Sequence, residues 1–229
     1  APGRAWPPYS APRRAAVVPP GRGAGGGRRR APYDRILSTC SVRRVPWAWI
    51  EQTEPGGIVL TPWDNPMICW GLLKLTVGQD GAEGRFSPHS AFMLMRTQRQ
   101  DLRIFRDVVR DDHVPEESRT FFDPQRVTGD RWEARFALGL RLGDVWTAWE
   151  EDAFRLWVAT TDTRSWAAVD PEGRVRQYGP RRLWDEVEAA HGWWEDQGRP
   201  GPERFGWTVA AEGQWAWLDD PTRPLRKRD

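Results

Sequence analysis

The chain has 229 residues, 39% of them hydrophobic and 16 of them Trp, enough to build a real core in one large or two small domains. Its net charge of +2 is unevenly spread: residues 1–30 hold seven Arg and no acid, so from Ala31 onward 27 basic residues face 32 acidic ones. That mildly acidic body argues against a nucleic-acid partner, which needs a basic face. Two cysteines, Cys40 and Cys69, are too few for a secreted disulfide framework, and no apolar run reaches the length of a membrane span, so a cytoplasmic location is expected.

Ala, Gly, Pro and Arg make up 25 of residues 1–30, and no periodic apolar pattern offsets the cost of ordering them. This segment is expected to be disordered, either as a basic tail or as GC-rich sequence read out of frame. Of the 34 basic residues only Lys74 and Lys227 are lysines, which fits a GC-rich source. Gly25 to Gly27 do not make a phosphate or cofactor loop, because no apolar strand precedes them and no helix follows.

From Ala31 the character changes. Tyr33 to Ser38 reads as a short strand buried on both faces; Pro46 opens a helix carrying Val45, Trp49 and Ile50, which Gly56 and Gly57 stop; Ile58 to Thr61 is a second buried strand. Strand, helix, strand is a unit of a parallel α/β sheet. Gly71 to Val77 and Phe86 to Met95 then pair as an antiparallel edge hairpin across GQDGAEG. Residues 99–130 read as a linker with one short helical piece.

Beyond it, residues 131–222 form a Trp-rich α+β extension, with a basic tail at 223–229. Ala134 to Leu142, Phe154 to Thr160 and Trp166 to Asp170 look like strands. Arg182 to Gln197 is a helix whose Leu183, Val187, Ala190 and Trp194 share one face, ended by Gly198 and Pro200. Phe205 to Ala210 and Gln214 to Leu218 make a final hairpin. Most of the Trp are expected to pack, with a peptide-recognition role open to the strands near Trp146 and Trp157.

Ligands of open α/β sheets bind beyond the carboxyl ends of the strands, which places Ser38, Thr39, Cys40, Ser41, Arg43 and Arg44 at the mouth of any site. Cys40 has no recognisable relation to His89, His113 or His191, so it reads as a lining residue rather than a nucleophile. Arg43 or Arg44 could hold a carboxylate in bidentate fashion, or simply be solvated at a helix start.

APYDRILSTCSVRRVPWAWIEQTEPGGIVLTP, residues 31–62, resembles the later motifs of the protein-L-isoaspartate O-methyltransferase family. It is similar in particular to actinobacterial variants with a long C-terminal extension that methylate ribosomally made peptides, as are YGPRRLWDEVEAAHGWW and FGWTVAAEGQWAWLDDP. The resemblance implies the C-terminal part, residues 31–98, of a Rossmann-like methyltransferase sheet. It also implies S-adenosylmethionine as cofactor, and as partner a precursor peptide or damaged protein bearing Asp or isoaspartate. Ser38, Thr39, Cys40 and Ser41 would then line the methyl-transfer cleft and Arg43 or Arg44 would steady the substrate. The family's glycine-rich cofactor segment, its ribose-binding acid and its Asp-containing loop have no counterpart in the sequence. A truncated, impaired homologue is therefore expected, the alternative being a non-catalytic remnant or peptide-binding module.

Overall fold

The computed structural model describes residues 31–129 and 132–226, so the segment 1–30, with Gly25 to Gly27, and the end of the basic tail lie outside the described residues. Strand β1 (Tyr33–Leu37) runs parallel to β2 (Thr53–Asn65) across the single turn of helix α1 (Trp47–Glu51). β3 (Ile68–Val77) and β4 (Gly81–Ser87) follow antiparallel to β2 and to each other. The parallel unit and the hairpin of the sequence reading are thus present, within a mixed sheet.

Three details differ. Gly56 and Gly57 do not stop the helix, which ends at Glu51; they lie within β2, in an irregularity where Tyr33 pairs with Thr53 but Arg35 pairs with Ile58. Gly56 takes φ +83°, and a side chain on Gly57 would sit 2.9 Å from the Asp34 carbonyl, so both positions require glycine. The strand β1 is not buried on both faces: it forms one edge of the sheet and leaves Leu37 69% exposed. Finally, β4 starts at Gly81 rather than Phe86, because GAEG is strand and the turn is confined to the residues before it.

The β3–β4 hairpin is also not the sheet's edge. The closing hairpin, β10 (Phe205–Ala210) and β11 (Gly213–Leu218), pairs antiparallel with β4, giving the order β1-β2-β3-β4-β10-β11. Residues 121 to 129 apart in sequence therefore complete one sheet. Trp207 of β10 packs 4.4 Å from Trp63 of β2, and Phe86 of β4 closes the cluster edge-on.

The second sheet has the order β5-β9-β8-β7-β6 and is antiparallel throughout: β5 (Glu116–Arg119), β6 (Val145–Glu150), β7 (Arg155–Thr160), β8 (Trp166–Val169) and β9 (Arg174–Tyr178). The stretch 99–130 is thus more than a linker. It holds one π-helical turn, Ile104–Val108, an edge strand and the short helix α2 (Gln125–Thr128).

The segment 134–142, read from sequence as a strand, is helix α3 (Trp132–Leu142). Its Ala134, Phe136, Ala137 and Leu140 belong to the core of the first sheet, while Leu138 and Leu142 belong to that of the second. A helix buried on two sides loses its one-sided stripe, so periodicity could not announce it. Helix α4 (Leu183–Asp196) packs beside it and also serves both cores, through Trp194 on one side and Leu183, Trp184, Val187 and Ala190 on the other. Gly198, at φ +79°, follows its end as expected.

Candidate functional site

β1 and β2 point their carboxyl ends toward the loop 38–45, which is where chemistry is expected in a parallel unit. Ser38 shapes the loop locally: its hydroxyl donates to the Cys40 carbonyl at 2.7 Å and accepts from the Cys40 amide at 3.2 Å. Ser41 and Val42 are then stitched between neighbours. The Ser41 amide donates to the Met93 carbonyl, the Met95 amide to the Ser41 carbonyl, and the Val42 amide to the Pro62 carbonyl. Ser41 is fully buried and spends its hydroxyl on the Phe92 carbonyl at 2.8 Å, so it is a structural clamp rather than a cleft residue. Thr39 is exposed and Cys40 half-buried, with its sulfur 3.3 Å from the Ser38 hydroxyl.

The two arginines separate. Gln98 ties down both backbones, its amide oxygen accepting from the Arg43 and Arg44 amides and its nitrogen donating to the Arg44 carbonyl. The Arg44 residue itself is exposed. Arg43 instead donates through Nε to Asp64 at the end of β2, at 2.6 Å, with the carboxylate side chain only 10% exposed. A guanidinium anchored by one nitrogen to a buried acid is held in place, which leaves its other edge for a ligand. Arg43 lines a cleft of about 130 Å³ with Pro66, Gln100, Leu102, Trp146 and Thr161, so the second sheet supplies one wall.

Asp64 also faces the second cysteine. Burial pushes the Cys69 thiol above its ordinary range and the Asp64 carboxylate adds to the rise, offset in part by hydrogen bonding to the Phe92 backbone and the Ser41 side chain. The thiol donates to the Phe92 carbonyl at 3.2 Å. The histidines are engaged elsewhere: His89 lies edge-on to Trp70, His113 stacks on Tyr178 at 3.7 Å, and His191 is buried on α4. Among the described residues no group of His, Cys, Asp and Glu could hold a metal ion, and no helix is long and apolar enough to cross a membrane.

Sequence reasoning named the loop, Arg43 and Trp146 but missed Asp64 and Gln98, whose places beside Arg43 come from long-range folding. Asp64 sits in WDNP, which carries only a turn signal. Trp157, the other Trp suggested for recognition, is buried, with its indole N–H donated to Glu150 at 2.8 Å.

S-adenosylmethionine does not fit what the described residues build here. The cleft at Arg43 is well below the roughly 300–1,000 Å³ of small-molecule sites. The Ser38 and Ser41 hydroxyls that could have met a ligand are satisfied within the protein.

Comparison with known proteins places this segment. Residues 12–70 match the family model for protein-L-isoaspartate(D-aspartate) O-methyltransferase, a match that begins inside the Arg- and Gly-rich segment. The chain is 44% identical over 46 residues to the protein-L-isoaspartate O-methyltransferase of Azorhizobium caulinodans, over 20% of this chain and 21% of that one, so it matches about a fifth of that relative's length. A solved structure of a protein-L-isoaspartate O-methyltransferase aligns over 86% of this chain and 58% of its own, at 18% identity and a TM-score of 0.45. The similarity to the protein-L-isoaspartate O-methyltransferase family thus falls on residues 12–70, which include β1, α1, β2 and the Arg43 loop.

Proposed function

We propose that this chain forms the acceptor side of a carboxyl O-methyltransferase, holding an aspartyl or isoaspartyl carboxylate of a damaged protein or ribosomally made peptide at Arg43. The observation that carries the reading is Arg43, fixed through Nε by the buried Asp64, at the carboxyl ends of the parallel pair in the family-matching segment. A side-chain carboxylate is ionised at neutral pH and needs no general base, so the protein's task is to orient it and exclude water. Ser38 and Ser41 are committed to backbone carbonyls, and Arg43 is the residue of the 38–44 loop that lines the cleft.

The misfit of S-adenosylmethionine supports a second element of the proposal: the site as described is impaired for cofactor binding and acts as a carboxylate-peptide binding module. In this reading the cofactor chemistry, transfer of a methyl group from a sulfonium, is not carried by the described residues. Fluorescence anisotropy with a labelled isoaspartyl hexapeptide tests the acceptor role. The full chain is expected to bind it, and Arg43→Gln to weaken binding roughly tenfold or more, as loss of a charge-assisted bond of about 1.5–3 kcal/mol implies. Equal affinity of the two proteins contradicts the assignment.

A further inference from the structure

A second cleft, of about 680 Å³, opens on the other sheet and shares no residue with the Arg43 cleft. Its size falls within the range of ligand sites, roughly 300–1,000 Å³. Three separate pieces of chain wall it: the loop before α2, the β6–β7 connection and the β8–β9 turn. Phe121, Trp149 and Phe154 line it and are exposed by 108%, 40% and 65%. Three large apolar side chains exposed around one opening form a patch, which isolated surface residues do not.

The lining is charged with one sign. Asp123 and Glu172 contribute carboxylates, and no basic side chain lines the cleft. Of the nearby cations, Arg126 lies over the ring of Phe122, a wall residue, and Arg174 pairs with Asp170. Glu151 and Asp152, exposed in the same connection as Phe154, add two further acids to that connection.

The walls are also held in place. Thr120 donates its amide to the Gly173 carbonyl at 2.8 Å and its hydroxyl to Glu188 on α4. Asp123 accepts from the Gln125 amide at 2.9 Å, which fixes the carboxylate. Phe154 sits at φ +46°, an unfavourable conformation for a bulky residue, with its ring in solvent where burial offers no compensation. Strain of that kind is retained at binding sites more often than elsewhere.

We propose that this cleft takes the guanidinium or ammonium side chain of a basic peptide segment. Such a side chain has an apolar stem for the Phe and Trp faces and a cation for the ring faces and the two carboxylates. The proposal is independent of the Arg43 site, whose ligand carries the opposite charge.

The test is fluorescence anisotropy on the full chain with labelled acetyl-Gly-Arg-Gly-Arg-Gly amide and its Glu counterpart, at two salt concentrations. The Arg peptide is expected to bind more than tenfold tighter than the Glu peptide, and to weaken as salt rises. The double variant Asp123→Asn, Glu172→Gln is expected to lose that tenfold preference, and Phe121→Ala, at a fully exposed position that leaves the fold intact, to weaken the Arg peptide severalfold. Equal binding of the two peptides, no binding of the Arg peptide, or unchanged affinity in both variants overturns the proposal.

Discussion

Asp64 is the residue on which the candidate site turns, because one carboxylate serves both Arg43 and the Cys69 environment. With its pKa raised, the Cys69 thiol holds less thiolate at pH 8 than an ordinary cysteine and should react slowly. In a Cys40→Ser background, alkylation by iodoacetamide followed against pH is expected to show a midpoint above the usual thiol range. Asp64→Asn, which removes a carboxylate that raises it, should move that midpoint down; an unchanged midpoint would show that Asp64 does not govern the thiol. Gly139 of α3 is a second sensitive point, since a side chain there would overlap the Asn65 amide, whose oxygen accepts from the Met67 and Ile68 amides. Gly139→Ala is expected to cost about 1–3 kcal/mol by urea titration, against the usual gain from Ala in a helix.

At the scale of elements, what was legible in the sequence followed how one-sided each burial is. Helix α4 could be read because its apolar residues keep a stripe, and β10 and β11 because turn residues separate two apolar runs. Helix α3 could not, because seven of its eleven residues are buried on opposite sides. Strand β5, EESR, is exposed throughout and carries no apolar alternation, so only its pairing with β9 makes it a strand. The same logic governs the site: the loop 38–44 is marked by its place after a strand, whereas Asp64 and Gln98 acquire meaning only when β2 and the 96–98 turn close on it. The glycines of β4 illustrate a local signal that misleads. Gly84 reads as a turn residue, yet a side chain there would overlap the Lys74 carbonyl across the β3–β4 pair. Gly84→Ala is therefore expected to lower the thermal midpoint by several degrees, and a loss below one degree would show that the strands can shift to accept it.

For the whole molecule, α3 and α4 belong to both hydrophobic cores, and the last hairpin completes the first sheet. A division near residues 99–130 into an α/β part and an extension therefore cuts through shared packing. The described residues should unfold in one transition by far-UV circular dichroism and Trp fluorescence alike, and separated transitions by the two probes would contradict shared cores. Removal of residues 205–226 is expected to unfold the first sheet as well, because Trp63 and Phe86 would lose Trp207 and β4 would be left as an unpaired edge. This architecture lets the second sheet supply Trp146 and Thr161 to the Arg43 cleft, so the proposed acceptor site depends on both sheets. The proposed function is an acceptor-carboxylate site without an S-adenosylmethionine site. Equilibrium dialysis of the full chain against radiolabelled isoaspartyl peptide in one cell and radiolabelled S-adenosylmethionine in another measures it directly. Retention of the peptide and no retention of S-adenosylmethionine up to the millimolar range are expected, whereas micromolar retention of S-adenosylmethionine, or none of the peptide, overturns the proposal.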